Sequence, residues 1–542
     1  MSRPYLSLSD VTFAWPDGDP VFDGLDAVFG TGRTGLVGSN GAGKSTLLRL
    51  IGGVLRPDRG SIALQGAIGY LRQDIALDPG RRVDDILGIT PARTALRRIE
   101  SGTATDQDFA AVSGGWDIEE RAVAVLHRLG LGHVVGSVAD LDRRVGTLSG
   151  GETVLLALTA ELLREPAVLL LDEPTNNLDL RARELLYQAV AQFAGTLVVV
   201  SHDRALLDRM DMIAELRAGR RGGAELRMFG GNFTAYQAII EKEREAARAA
   251  VRDAKSDVRR QSRELVEAQV KIDRRARYGK KMNAQKREPK IVMEARKRQA
   301  QESAGKLRGN HIAKVDDARA TLAAAEEQLH ADREVRIDLP GSRVYPGQRV
   351  VELAKVRLAC DPPSSSRSVS LTISGPERIA LVGANGIGKT TLLRAIAEAG
   401  PQVPWRYLPQ RLDIFRPELS VVENVSLAAP DAPPGRIRAQ LARLLFRGAD
   451  ADVAAGALSG GEQLRAALAM MVLAEPTPRL LMLDEPTNNL DLSALAALTQ
   501  ALAGYEGALV IASHDVPFLN DLGVTRWLEL TAEGLRDCGV TP

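Results

Sequence analysis

The sequence predicts an α/β fold: two tandem copies of one α/β unit, joined by an α-helical hairpin. Three observations carry this expectation. A Gly-rich loop occurs twice, as GSNGAGKSTLLRLI at 38–51 and GANGIGKTTLLRAI at 383–396, each time after a strand-like apolar run and at the head of a helical pattern. Three further stretches recur behind it in the same order: LSGGE at 148–152 and 458–462, LLLDEPTNNLDL at 169–180 with LMLDEPTNNLDL at 481–492, and SHD at 201–203 and 513–515. The segment between the copies is unlike either of them, charged, and helical in its periodicity. The spacing is also kept, with 30 residues from Asp172 to His202 and 30 from Asp484 to His514. Ordered self-similarity of this kind marks a duplicated unit. The expected boundaries are 1–238 for the first unit, 239–335 for the linker and 336–542 for the second unit.

Composition agrees with a multidomain globular chain. The 542 residues exceed one ordinary domain, and 45% of them are apolar, enough for sizeable cores. The net charge of +1 names no partner. Two cysteines, Cys360 and Cys538, fit no metal-ligand spacing and suit a reducing compartment. No N-terminal stretch reads as a signal peptide. The longest apolar stretch, LLALTAELLREPAVLLL, is broken by Glu161, Arg164 and Glu165, short of the roughly 18 residues a membrane span needs. A soluble, cytoplasmic protein is expected.

The first unit opens with the phosphate-binding pattern G-x-x-x-x-G-K-[ST]. Gly38 and Gly43 let the backbone curl so that successive N–H groups face phosphate oxygens. Lys44 can reach the β- and γ-phosphates, and the Ser45 hydroxyl can bind Mg²⁺. Asn40, Gly41 and Thr46 complete the loop. In the second unit the same places are held by Gly383, Asn385, Gly386, Gly388, Lys389, Thr390 and Thr391.

These motifs together resemble the ATP-binding cassette superfamily, whose signature is LSGGE, over about four-fifths of the chain. Two cassettes on one chain, DEPTNNLD, a charged helical linker and GGNFTAY at 230–236 resemble its ABC-F subfamily. The resemblance implies ABC-type P-loop ATPase domains pairing head to tail within one monomer, with two ATP molecules and Mg²⁺ between them. One ATP would sit on Lys44 and Ser45 and meet Ser459, Gly460 and Gly461; the other would sit on Lys389 and Thr390 and meet Ser149, Gly150 and Gly151. A helix N-terminus suits such phosphate contacts. Asp172 and Asp484 would hold the Mg²⁺ shell with Ser45, Thr390 and the Q-loop residues Gln73 and Gln410. Glu173 and Glu485 would polarise the attacking water, and His202 and His514 would contact the γ-phosphate. Asp179 and Asp491 match the D-loop that crosses the dimer interface. Trp15 would stack on one adenine, whereas Cys360 stands at the matching place in the second unit, so unequal adenine sites are expected. Asn177 and Asn489 replace a histidine usual in the subfamily's DEPTNHLD.

The first unit carries about 27 extra residues, since Gln73 to Ser149 spans 76 and Gln410 to Ser459 spans 49. They are expected in a helical subdomain at about 85–130. An ordinary helical insert and a ribosome-touching arm both fit them, and the segment is not basic enough for RNA binding to be assigned.

In the linker, Val251, Ala254, Val258, Gln261, Leu265, Ala268 and Ile272 recur at spacings of three and four, and so do Val315, Ala318, Leu322, Ala325 and Leu329. These are heptad seams. Gly279 and Pro289 are expected to interrupt helix, which puts the bend of an antiparallel hairpin near 278–290. Residues 271–310 hold 14 Lys or Arg against 4 Asp or Glu, which leaves about −9 on the rest of the chain. Such a tip is an electrostatic footprint for a phosphate backbone, with Arg274, Arg275, Arg277, Tyr278, Lys280 and Lys281 as candidate RNA contacts. The resemblance implies a ribosome-bound ATPase near the tRNA exit site, its partners rRNA and tRNA, acting in translation or in protecting ribosomes from antibiotics. The alternative, a cytoplasmic ATPase subunit of a drug exporter with separate membrane partners, leaves the basic hairpin unexplained. A DNA-associated cassette would carry zinc sites or much longer coiled coils.

Overall fold

The computed structural model describes the chain except residues 1–5, 17, 19, 74–77, 79, 113–114, 147, 177, 219–222, 285–289, 330–340, 359–366, 413, 445, 489 and 540–542. Of residues 279–280, 282–284, 290–297, 300–301, 304, 327–329 and 367 it describes the backbone alone. Cys360, Pro289, Asn177, Asn489 and the side chain of Lys280 therefore lie outside the described residues.

Residues 1–236 and 335–542 form one compact unit, and 237–334 form another. In the first of these, both cassettes build the same six-stranded sheet. In the first cassette the strand order is Ile68–Leu71, Val168–Asp172, Thr196–Val200, Gly32–Gly38, Met212–Ala218, Ala224–Gly230. In the second it is Trp405–Leu408, Leu480–Asp484, Ala508–Ala512, Arg378–Val382, Arg526–Leu530, Leu535–Asp537. All neighbours are parallel except the last pair of each sheet. VLLLD, TLVVV, LLMLD and ALVIA are buried at every position, as strands covered on both faces must be. A second, antiparallel sheet of Pro20–Phe29, Leu6–Ala14 and Arg59–Leu64 covers the first P-loop helix. Leu6, Phe22, Phe29, Leu47, Leu48, Val168 and Val198 share that core.

Each P-loop links a central strand to a helix, Lys44–Ile51 or Lys389–Glu398. The parallel order places the ends of the central strands side by side, where loops from several strands converge. The extra segment of the first cassette is helical: Val83–Ile86, Thr90–Glu100, Asp106–Val112 and Ile118–Arg128. Its centre is Arg93, 2% exposed, which donates to Asp84 at 2.7 Å, Glu119 at 2.5 Å and Asp142 at 3.2 Å.

The second unit consists of two long helices, Phe233–Ala284 from its N-terminal end and Lys290–Leu329. Gly279 does not interrupt helix, contrary to the sequence expectation. A glycine costs about 1 kcal/mol relative to alanine, too little to stop a helix continued by good formers on both sides. Lys255 pairs with Glu326 at 2.9 Å, which joins the helices in antiparallel sense. Every described residue of the two predicted seams is buried or half-buried, with Val251, Ala254, Ala268, Val315 and Ala318 buried. Among the described residues no helix is long and apolar enough to cross a membrane.

Candidate functional site

The P-loops fix the site first. A Cβ at Gly38 would stand 2.4 Å from Leu216 O, and one at Gly383 would stand 2.5 Å from Leu530 O. Only glycine lets the loop pass its neighbouring strand this closely. Gly43 and Gly388 take left-handed backbone conformations at φ 97° and 104°, just ahead of Lys44 and Lys389. Gly41 and Gly386, also at positive φ, are exposed at the turn of each loop. Thr46 and Thr391 are half-buried in the first helical turn. Both lysines are 7% exposed. Lys44 Nζ donates to Gly38 O at 2.8 Å and Ser39 O at 3.0 Å, and Lys389 Nζ to Gly383 O at 2.9 Å.

Carboxylates at the ends of Val168–Asp172 and Leu480–Asp484, each separated from its P-loop strand by one other strand, face the lysines. Ser45 Oγ donates to Asp172 Oδ1 at 3.0 Å. Burial pushes the Asp172 carboxyl above its ordinary value. Glu173 and Glu485 follow in left-handed backbone, φ 49° and 45°, held by N–H bonds to Val200 O at 2.9 Å and Ala512 O at 2.8 Å. Non-glycine residues in this conformation are strained and concentrate at functional sites. Burial raises both glutamates, and the nearby lysines only partly offset it. Glu173 Oε1 lies 3.2 Å from His202 Nε2, and Glu485 Oε1 lies 3.4 Å from His514 Nε2 and 3.6 Å from Lys389 Nζ. The histidine contacts join a carboxyl to a neutral ring, and among the described residues neither Oε1 has a hydrogen-bond partner. His202 and His514 are held down to about 3, by burial first and the neighbouring lysine next, so both imidazoles are neutral at pH 7. Lys389 Nζ approaches His514 Nε2 to 2.6 Å, which suits an imidazole that accepts there.

The two cassettes meet over these groups. A cavity of about 430 Å³ is lined from the second cassette by Asn385, Gly386, Gly388, Lys389, Thr390, Thr391, Gln410, Asp484, Glu485 and His514. Gly150, Leu178 and Arg183 of the first cassette line it too. Gly150 and Gly151 begin the helix Gly150–Leu163, for which Ser149 is the N-cap. Ser459 caps the helix Gly460–Leu473, which begins with Gly460 and Gly461. At the first P-loop, the Asn40 N–H donates to Asp491 Oδ2 of the second cassette at 3.0 Å. Gln73 is exposed beyond the strand Ile68–Leu71. Trp15 is 42% exposed and meets Phe13 edge-on, with ring centres 5.2 Å apart. In the linker, Arg274, Arg275, Arg277, Tyr278 and Lys281 are exposed.

The donor set fits Mg²⁺. Among the described residues Asp484 Oδ1 is buried without a hydrogen-bond partner, and its carboxylate shares the cavity with Thr390 and Gln410, hard oxygen donors of the kind the ion takes.

The ABC transporter family model matches residues 28–176 and 366–488, one span in each cassette. The tylosin resistance ATP-binding protein TlrC of Streptomyces fradiae is 34% identical to this chain, and the match covers 94% of both proteins. The chain belongs to the ATP-binding cassette family, in its ABC-F branch. A second ABC-F relative, the energy-dependent translational throttle protein EttA of Mycobacterium tuberculosis, is 31% identical over 90% of this chain and 84% of its own length. Among solved structures, the RNase-L inhibitor shares the fold, with a TM-score of 0.58, 20% identity and coverage of 98% of this chain and 90% of its own.

Three groups of this ABC-F protein's sites escaped the sequence reading. Tyr70 and Tyr407 donate to Asp172 Oδ2 at 3.4 Å and Asp484 Oδ2 at 3.0 Å, and burial raises both phenols to about 12. The repeat carried that signal, as Y-L-x-Q in both copies. Glu152 and Glu462 close capping boxes on the signature serines, at 2.7 Å and 2.9 Å from the Ser149 and Ser459 N–H groups, a pattern S-x-x-E announces. Arg183 became visible only in the fold.

Proposed function

We propose that this ABC-F protein is a cytoplasmic ATPase that binds the ribosome near the tRNA exit site and modulates translation or protects the ribosome from an antibiotic. The full-length match carries this reading: relatives named for tylosin resistance and for translational throttling align over nine-tenths or more of this chain, linker included. Its two composite ATP sites form by pairing of the cassettes within one monomer, and the interface around Lys389 and Gly150 supports that arrangement. Mg²⁺, when bound, neutralises phosphate charge; Ser45, Gln73 and Asp172 would hold it in one site, and Thr390, Gln410 and Asp484 in the other.

The remaining steps fall to side chains. Lys44 and Lys389 turn from their loop carbonyls to the phosphates. Ser149–Gly151 and Ser459–Gly461 present N–H groups and hydroxyls at helix N-termini to the γ-phosphate from across the interface. Glu173 and Glu485 orient the attacking water and take up its proton, a task their burial suits by raising their basicity. His202 and His514, neutral, donate to the γ-phosphate in the tautomer that carries the proton on Nε2, which His514 takes up once Lys389 has turned away. Trp15 stacks on adenine, and Arg274, Arg275, Arg277, Tyr278, Lys280 and Lys281 meet RNA.

Co-sedimentation with ribosomes across a salt series tests this reading. Glu173→Gln with Glu485→Gln is expected to abolish phosphate release and to retain the protein on ribosomes with ATP. Replacing Arg274, Arg275, Arg277, Lys280 and Lys281 by Glu is expected to weaken binding and flatten its salt dependence, with ribosome-free ATPase intact. Unchanged co-sedimentation of the charge variant would exclude the RNA role of the tip.

A further inference from the structure

The two copies differ where they touch each other. Aligned on DEPTNNLDL, Arg183 stands opposite Leu495; aligned on SHD, Arg204 stands opposite Val516. Leu495 is 2% exposed and belongs to the apolar core of its own cassette. Arg183 instead reaches into the other cassette, where Nη1 donates to His514 O at 3.2 Å. Its Nε donates to Leu178 O at 3.2 Å, and Nη1 lies 3.5 Å from Asp203 Oδ2, which also accepts from Tyr187 at 2.6 Å. The Arg183 side chain is 12% exposed, so its contacts are sheltered from competing water. Arg204 crosses the same interface to Asp521 at 2.5 Å. Leucine and valine at the matching positions of the second copy have no side-chain donor with which to repeat either bond. Both clasps come from the first cassette.

The place of Arg183 in the fold gives the difference a consequence. It lies four residues beyond Asp179 and lines the cavity that Lys389, Glu485 and Gly150 share. The cassette that brings Gly150 to this cavity therefore also brings the donor that holds the His514 main chain.

We propose that Arg183 is a positioning residue of the Lys389 site: it fixes the His514 main chain from across the interface and so makes the two ATP sites turn over unequally. Arg204 and Asp521 hold the same side of the interface closed. Small displacements of a catalytic group cost rate far more than binding, so the effect falls on turnover and not on ATP affinity.

The proposal rests on Glu173 and Glu485 being the hydrolytic residues. The experiment measures first-turnover phosphate release against ATP concentration, on the full-length protein without ribosomes. A Glu173→Gln background leaves the Lys389 site to report, and Glu485→Gln leaves the Lys44 site. Arg183→Leu, the residue its own repeat carries, is expected to slow the Lys389 site by about tenfold or more, with half-saturation shifted by less than about twofold. The Lys44 site is expected to stay within about twofold of its rate. Arg183→Lys is expected to recover much of the loss, because it restores a cationic donor. Arg183→Met, unbranched and without a donor, replaces Arg183→Leu should that variant not fold, and is expected to show the same one-sided loss. Equal losses at both sites, or none at the Lys389 site, would overturn the proposal. Residual turnover in the Glu173→Gln, Glu485→Gln double variant would instead overturn the glutamate assignment and leave Arg183 to be judged separately.

Discussion

Asp491→Ala removes several hydrogen bonds at once, and their costs fall on different processes. Asp491 is 9% exposed. Its Oδ1 accepts from Ala494 N at 2.8 Å and Ser493 Oγ at 2.6 Å, capping the helix Leu492–Ala503; its Oδ2 accepts from Asn40 N at 3.0 Å in the other cassette. Burial alone would raise this carboxyl, but the bonds from Ser493, Asn40 and Ala494 outweigh it and hold the group below its ordinary value, hence ionised at pH 7. Losing the cap costs about 1 kcal/mol of folding stability. The bond to Asn40 is charge-assisted, worth about 1.5–3 kcal/mol, and exists only while the cassettes are paired over the first P-loop. If ATP binding at that site requires the pairing, affinity falls by about 10- to 150-fold. Titration of a fluorescent ATP analogue in a Lys389→Ala background reads the Lys44 site alone. Asp491→Asn keeps a cap and an acceptor without the charge, and is expected to fall between wild type and Asp491→Ala. Thermal unfolding reports the cap contribution separately. Unchanged ATP affinity in both variants would show that the Asn40 contact contributes nothing to nucleotide binding.

Two further outcomes are expected. Arg93→Met removes the buried partner of Asp84 at 2.7 Å and leaves only the half-exposed Arg82 at 3.2 Å, a loss of up to about 3–5 kcal/mol; amide exchange should speed up in Thr90–Glu100 and Ile118–Arg128, and Arg93→Met with Asp84→Leu should restore much of the protection. For His202 and His514, held down to about 3 from 6.5, the unfolded chain binds more protons between those values, so stability is full above about pH 6.5 and declines as pH falls. The slope is about 1.4 kcal/mol per pH unit for each histidine. Melting temperature from pH 7 to about pH 4 should therefore fall more steeply in wild type than in His202→Gln, His514→Gln, and equal slopes would contradict the buried neutral state.

Much of the fold was legible because its constraints act on single residues. Gly38 and Gly383 have no alternative beside the Leu216 and Leu530 carbonyls, so the P-loops leave a mark that duplication then doubles. Strand order left no such mark: VLLLD and TLVVV are equally apolar, and nothing in either says that they lie side by side with Gly32–Gly38 next. Gly279 misled because glycine was read as a stop where it is only a small cost within a long helix. Arg183 was invisible for another reason. An arginine in a helix reads as a solvated side chain, and its acceptor, the His514 carbonyl, is 331 residues away.

The resting partners of the phosphate-gripping groups bear on how the cycle resets. Lys44 and Lys389 already donate to carbonyls of their own loops, and the Ser459 hydroxyl already donates to Glu462 Oε2 at 2.7 Å. Under the proposed function a triphosphate drawing on these donors replaces a carbonyl or carboxylate acceptor by a charged phosphate oxygen, so part of each new bond, worth about 1.5–3 kcal/mol, is offset by the bond given up. The same ledger runs backwards. When phosphate departs, each donor has an acceptor within reach, so neither buried lysine is stranded. A donor with an acceptor of its own in the absence of phosphate narrows the free-energy difference between the two arrangements.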